Sequence, residues 1–380
     1  MNFIAWQMLT GDRAKYLGLI FAIAFSTFLM SHQTSIFCGL MDRTRSQILD
    51  VRDASIWVMD PKTQYLDEVK NLADQDLYRV RGVNEVQWAV PLLKSTARAK
   101  LPGDGKFRAV ILMGLDDSTL VGAPQSMALS TMDALGQPDS IIIDRVGYKF
   151  FFPDEPLALG RQLEINDHMV RIVGICNSSA PFVNLPVVYA RYSLAQNMVG
   201  RERNLMSFVV ARPRPGISEE EASRAISQKT GLRALPAGAF GWETIWYYIR
   251  NTGIPINFGI TVAIALVVGT VVAGQTFYLF VLENLRQFGA LKAIGVTNWR
   301  ITGMVLLQAL VVGSIGYCLG IAMTAAFFEI TKNNLDLRGF YLLPQIMGLV
   351  AGAVLVIILL ASAVSVRRVA VLEPAVVFRG

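Results

Sequence analysis

Apolar and charged positions segregate along this chain instead of mixing. Asp, Glu, Lys and Arg are absent from residues 17–40, 254–282, 301–328 and 339–366. Each run exceeds the ~20 apolar residues needed to cross a ~30 Å hydrocarbon core at ~1.5 Å per residue. Four transmembrane helices are therefore predicted, at 17–41, 254–282, 301–328 and 339–366. The first follows Arg13 and Lys15, as a secretory leader would, but its apolar core is long and no small-x-small cleavage site stands out after it. It reads as a retained span, with His32 and Gln33 in protein contacts or the interface rather than in bare lipid.

Residues 42–253 carry a different pattern. Short β-branched and aromatic runs bounded by Gly, Pro, Asn or Asp predict strands at "ASIWVMD" (54–60), "FRAVILMGL" (107–115), "SIIIDR" (140–145), "LPVVYA" (185–190) and "LMSFVVAR" (205–212). "QLEINDHMVRIVGI" (162–175) reads as a hairpin turning at Asn166-Asp167. Helical spacing of Leu66, Val69, Leu72, Ala73, Leu77 and Val80 predicts a helix ending near Gly82. A second helix starts at Ser218 as N-cap, with Glu219, Glu220 and Glu221 in the first turn and Gly231 as the stop. The fold class is thus a membrane protein with four transmembrane α-helices and a large α+β extracytoplasmic, periplasmic domain between helices 1 and 2. "ARPRPG" (211–216) marks a candidate subdomain joint.

Charge then sets the orientation. Segments 1–16, 283–300 and 367–380 hold Arg13, Lys15, Arg286, Lys292, Arg300, Arg367, Arg368 and Arg379 against Asp12, Glu283 and Glu373. The loop at 329–338 balances Lys332 and Arg338 against Glu329 and Asp336. The Lys/Arg bias places both termini and the 283–300 loop in the cytoplasm, and the 42–253 domain and 329–338 loop in the periplasm. A multi-pass protein of the cell inner (cytoplasmic) membrane follows. The overall excess of 35 Lys and Arg over 29 Asp and Glu reflects this topology and does not point to nucleic acid.

Catalytic chemistry is sparse. His32 and His168 are far apart and lack HExxH or CxxC company, so no metal site is expected. His168 belongs to the hairpin turn. Walker A, GxSxG and kinase signatures are missing. Asp116-Asp117 follows a strand, where turn capping accounts for it. Cys38, Cys176 and Cys318 read as small buried thiols, and Cys176 stands alone in the outer domain, which leaves that domain to its core for stability. Charge-free spans disfavour an ion-coupled carrier. Gly269, Ala273, Gly274 and Gly313 make the second and third spans rich in small residues, and Gly316 with Gly320 forms a GxxxG pair, a candidate dimer or helix-packing face.

The 283–300 loop is the most patterned cytoplasmic segment. In "ENLRQFGALKAIGVTNWRI", Leu285, Phe288, Leu291 and Ala293/Ile294 share one helical face, with Arg286, Gln287 and Lys292 off it. Gly295 supplies a stop, and Thr297 or Asn298 a cap for the third span. Its apolar knobs suit a groove on a cytoplasmic partner. The stretch resembles the segment after the second span of MacB/FtsX-type ABC transporter permeases, E-R-x-x-E-I-G-x-L-[KR]-A-I-G-A-[ST]. Glu283, Gly289, Leu291, Lys292, Ala293, Ile294 and Gly295 match, Arg286 falls in the basic part and Phe288 replaces Ile. Gln287 departs from the usual Glu. The tail "RRVAVLEPAVVFRG", through Arg368, Leu372, Pro374 and Arg379, and the "LGRQLEINDHMVRIVGIC" hairpin are similar to the family's, and the span order matches over the whole chain.

The resemblance implies the transmembrane subunit of an ABC-type exporter, working by mechanotransmission for efflux. Glu283, Arg286, Gln287, Phe288, Gly289, Leu291, Lys292, Ala293, Ile294 and Gly295 would contact a separate cytoplasmic ATP-binding cassette subunit. ATP and Mg would sit on that partner, with no cofactor and no catalysis on this chain. It further implies a homodimer in membrane lipid and, from the likeness to DevC-type permeases, a periplasmic adaptor and an outer-membrane channel. The alternative is an FtsX-like transducer that controls a cell-wall hydrolase without transport; a membrane-anchored enzyme or sensor is the remaining class.

Overall fold

The computed structural model describes residues 13–371 except 104, 125, 201–205, 333, 335 and 336, and for 13 and 364–371 it describes the backbone alone. Asp12, Asp336, Leu372, Glu373, Pro374 and Arg379 therefore lie outside the described residues, as do the side chains of Arg13, Arg367 and Arg368. The described parts of 1–39, 253–332 and 340–380 form a helical unit, and those of 40–252 and 333–339 an α+β unit.

Helix α1 (Arg13–Asp50) begins the chain order. The α+β unit then runs β1 (Ile56–Met59), α2 (Asp74–Arg81), β2 (Val86–Lys100), β3 (Arg108–Leu115), β4 (Met127–Leu129), β5 (Ser140–Asp144), α3 (Arg145–Phe151), β6 (Gln162–Ile165), β7 (His168–Cys176), β8 (Val187–Arg191), α4 (Tyr192–Val199), β9 (Phe208–Pro213), α5 (Glu219–Thr230), β10 (Arg233–Pro236) and α6 (Ala237–Asn251). Its strands join in the order β10-β1-β9-β2-β3-β8-β5-β7-β4, with β6 paired to β2 and β7. Among the described residues, only β3–β8 and β5–β7 are parallel.

Apolar runs in these strands are continuous because both faces of the sheet are covered. Val110 and Leu112 share one cluster with Ile141 and Ile143, while Ile111 and Met113 share the opposite one with Ile142. Burial of such side chains stabilises by about 1.5–3 kcal/mol each before chain entropy is counted. Near the other end of the sheet Trp57 is wholly buried against Phe208 and Phe240, with ring centroids 5.2 and 5.8 Å away. The β6–β7 hairpin turns at Asn166 (φ 45°) and Asp167 (φ 66°), the positive-φ pair that a two-residue type I′ turn requires. On α5, the Ser218 side chain accepts from the Glu221 N–H, and Gly231 closes the helix at φ 73°.

Three elements differ from the sequence reading. The helix expected from Leu66 onward starts only at Asp74. Leu66 and Leu72 are buried as expected, but the Leu72 N–H donates to the Met206 carbonyl (2.9 Å), which takes that backbone out of any helix. Strand β2, the longest of the sheet, carries no expected element at all: Pro91 interrupts its pattern. Helix α6 was also unmarked by the pattern, since its buried face is sparse (Phe240, Thr244, Ile245 and Tyr248) and Trp242 and Trp246 point outward.

The helical unit comprises the first part of α1 with α7 (Ile254–Glu283), α8 (Leu285–Ala293), α9 (Asn298–Thr331) and α10 (Pro344–Val371). Four helices among the described residues, Ala14–Asp50, Ile254–Glu283, Asn298–Thr331 and Pro344–Ala363, are long and apolar enough to cross a membrane. Their shared core includes Ile23, Phe277, Val305, Val312 and Ile357. A side-chain hydrogen bond between Ser31 and Thr324 (2.6 Å) joins α1 to α9, and Tyr317 donates to the Met347 carbonyl (3.0 Å). His32 is enclosed by Phe28, Phe327 and Phe328, consistent with its placement in protein contacts.

Candidate functional site

Helix α7 ends where the Asn284 amide group donates back to the Phe280 carbonyl (2.8 Å). Asn284 sits at φ −90°, ψ 8°, and its carbonyl accepts from the Phe288 N–H (3.1 Å), which starts α8. The C-terminus of α8 is closed by two bonds: Gly295 N–H to Lys292 C=O (2.9 Å) and Val296 N–H to Leu291 C=O (3.0 Å). With Gly295 at φ 96°, this is a Schellman stop, in which only glycine adopts the left-handed position without strain. Val296 and Leu291 both pack on the helical unit's core, supplying the apolar contact such a stop favours. Thr297 occupies the N-cap position of α9 but makes no side-chain cap bond.

The apolar face of α8 packs into the helical unit. Phe288 is wholly buried among the residues of the transmembrane helices, Gly289 is buried, and Leu285 and Leu291 pack on the same cluster. A ~9-residue helix is too short to hold itself in water, so tertiary packing of this face must maintain it. Phe288 and Leu291 thus anchor α8 to the helical unit. The surface that α8 leaves open is Arg286, Gln287, Ala293, Ile294 and Gly295, with Glu283 at its start. Ile294 is 82% exposed, and Trp299, which the motif comparison did not single out, is 84% exposed. Glu283 forms an ion pair with Lys15, joining the start of α1 to the end of α7. Burial lowers the Lys292 pKa from its ordinary value.

Gly316 and Gly320 lie at a close helix–helix contact within the chain. A Cβ on Gly316 would lie 2.8 Å from Ile23 Cβ, and one on Gly320 would lie 2.5 Å from Thr27 Cβ and 2.6 Å from the Ala24 carbonyl oxygen. The GxxxG face meets the chain's own α1, the helix-packing half of the expectation. Cys318, expected to be buried, is exposed on α9; Cys176 is buried, and burial pushes its thiol pKa up.

The α+β unit holds no motif-marked chemistry. Asp116 accepts from Ser118 and Thr119, and Asp117 from Ser193, as turn and cap groups. His168 is exposed at the hairpin. The sequence reading missed one buried constellation. Arg338 donates to the wholly buried Asp144 carboxylate at 2.5 Å, Arg43 donates to the Arg338 carbonyl, and the other Asp144 oxygen accepts from Val187 N–H at 2.8 Å. Arg338 thus pairs with a carboxylate far away in the sequence. No local pattern could mark that pairing, because the partners lie almost two hundred residues apart.

Four membrane-crossing helices, a covered mixed sheet between the first two, and a short helix pinned between the second and third define a multi-pass protein of the permease type. Comparison with known proteins specifies the family. The MacB-like periplasmic core domain model matches residues 17–229, more than half of the chain, and the FtsX-like permease C-terminal model matches residues 259–374. An uncharacterised ABC transporter permease of Mycobacterium bovis is 28% identical over 226 residues, 58% of this chain and 58% of its own length. The macrolide export ATP-binding/permease protein MacB of Psychrobacter arcticus is 25% identical over 284 residues, 72% of this chain and 42% of its own length. The chain thus spans about half the length of the curated relatives it matches. Among solved structures, the periplasmic region of MacB from Actinobacillus actinomycetemcomitans is 15% identical with a TM-score of 0.37, covering 54% of this chain and 96% of that one. The chain belongs to the MacB/FtsX family of ABC transporter permeases.

Proposed function

We propose that this chain is the transmembrane subunit of an ABC-type exporter, driven by a cytoplasmic ATP-binding cassette and acting on its periplasmic domain by mechanotransmission. The observation that carries this reading is α8. A short helix whose apolar face is fixed inside the helical unit, and whose open face presents Arg286, Gln287 and Ile294, turns a push from a partner into movement of the helices that hold it. Phe288 supplies the rigid attachment, and Ile294 with Trp299 supplies the exposed apolar contacts that a partner groove would cover.

In this reading ATP and Mg bind the cassette, both termini and α8 lie in the cytoplasm of the inner membrane, and residues 42–253 lie in the periplasm. Two permease copies act together, with a periplasmic adaptor and an outer-membrane channel completing an efflux path. The charge-free spans fit a machine whose energy enters through α8.

The test is reconstitution of the chain with its cassette subunit in lipid nanodiscs. Replacing Ile294 and Trp299 together by Asp is expected to weaken the association about tenfold or more, the equivalent of about 1.4 kcal/mol, and to lower permease-dependent ATP hydrolysis in proportion. Unchanged association and hydrolysis would refute the docking role of this surface.

A further inference from the structure

Strand β2 changes partner halfway along. Val86–Leu92 pair with β9, which begins opposite Leu92 at Phe208, and Leu93–Ala99 pair with β3, which leaves off opposite Leu93 near Gly114. Two ladders that end against each other on one strand leave a fork. Ser207 repairs part of it, its hydroxyl accepting from Lys94 N–H (2.8 Å) and donating to the Lys94 carbonyl (3.0 Å). Beside the fork lies a cavity of about 590 Å³. That volume is within the ~300–1,000 Å³ of small-molecule sites.

The lining combines an apolar wall with one charged pair and the neutral polar residues Asn71, Ser95, Thr96 and Ser207. Ile111, Phe182, Val183 and Leu185 contribute the wall, and Val183 is 51% exposed. Lys94 is only 7% exposed and forms an ion pair with Asp67, whose second oxygen accepts from the Tyr248 hydroxyl (3.1 Å). Burial lowers the Lys94 pKa, and the charge of Asp67 opposes that shift. An ammonium carries three donors and the ion pair occupies one; a carboxylate has lone pairs beyond the two bonds made here. The cavity thus offers donors and an acceptor side by side, with no net charge.

We infer that this cavity in the periplasmic domain is a binding site for small uncharged lipophilic amides, held by Lys94 and Asp67 at the polar end and by the Ile111–Phe182–Leu185 wall at the other. An amide carbonyl accepts from the ammonium while its N–H donates to the carboxylate, so both partners of the ion pair remain satisfied. A lipophilic carboxylate of the same size meets Asp67 as a like charge, and an amine meets Lys94. The site belongs to the α+β unit alone and does not depend on coupling through α8.

The probe is N-acetyl-leucyl-phenylalaninamide, with N-acetyl-leucyl-phenylalanine as its anionic counterpart. Hydrogen exchange of the full chain in lipid nanodiscs is followed by mass spectrometry at increasing probe concentration. The neutral amide is expected to slow exchange at 68–71 and 182–185 in a saturable way, with a midpoint at least tenfold below that of the acid. Lys94→Met should raise the amide midpoint about tenfold, and Val183→Trp, at an exposed position, should remove the protection by filling the mouth. Absence of saturable protection by the amide, equal or tighter binding of the acid, or wild-type midpoints in Val183→Trp would each overturn the assignment. If Lys94→Met does not fold, Val183→Trp and the amide-to-acid ratio still decide it.

Discussion

Arg338 and Asp144 show how much one residue pair can matter to this chain. Both are nearly sealed from water, at 7% and 1% side-chain exposure. Removing water from two charges costs several kcal/mol per ion, and mutual attraction offsets this only while both partners are present. Arg338→Ala is therefore expected to destabilise the α+β unit by about 3–5 kcal/mol, because it strands the Asp144 carboxylate. Asp144→Asn should be costly as well, because the amide has one acceptor oxygen for the two donors, Val187 N–H and the guanidinium, that separate carboxylate oxygens now serve, and it strands the Arg338 charge. Thermal unfolding of the full chain in nanodiscs, read by near-ultraviolet circular dichroism, measures both losses. Equal and small losses would show the pair to be solvated and unimportant. In the sequence, Arg338 reads as one more charge in a short loop, and burial alone gives it a different meaning.

Among the elements, those whose signal is local were legible and those whose signal is distant were not. The Asn166-Asp167 turn, the Ser218 cap and the Gly231 stop need no tertiary information, because each is fixed by backbone conformation or a bond within a few residues. The four spans follow from length and apolarity. Strand β2 failed that test because its two halves serve different neighbours and Pro91 falls near the changeover. The stretch before Asp74 failed because helical spacing at Leu66, Val69 and Leu72 reports burial, which an irregular segment bonded to Met206 satisfies equally well. At the candidate site the sequence marked the helix and its glycine stop, while the burial of Phe288 in the helical unit is a tertiary fact that helical spacing does not carry.

Glycines in the spans show the same limit. GxxxG marks close approach without naming the partner, and here α1 is the partner. At Gly320 the nearest obstacle includes a backbone oxygen, which cannot swing aside. Gly320→Ala is expected to force α1 and α9 apart at a cost of about 1–3 kcal/mol, lowering the temperature of inactivation in nanodiscs. Gly303→Ala, where a new Cβ meets nothing within 4 Å, should leave it unchanged. Equal behaviour of the two variants would show that the α1–α9 contact is loose.

For the whole molecule, the question is whether α8 is an anchored lever or a detachable clip. Phe288 decides between them, because it is the largest wholly buried side chain on α8 and sits among residues from several membrane helices. A buried, unpaired carboxylate costs several kcal/mol and is relieved only by local opening or protonation. With Phe288→Asp, α8 is expected to leave its seat: amide exchange across 285–293 should accelerate at least tenfold, and stimulation of ATP hydrolysis by the permease should fall with it. The sheet of the α+β unit has its own cores, so exchange in β3 and β5 should keep its wild-type rates. Ile294→Asp should do the reverse, lowering association with the cassette while α8 stays protected. A Phe288→Asp chain that loses the cassette with α8 still fully protected would make Phe288 a docking knob after all, and the lever would have to be sought elsewhere on the cytoplasmic surface.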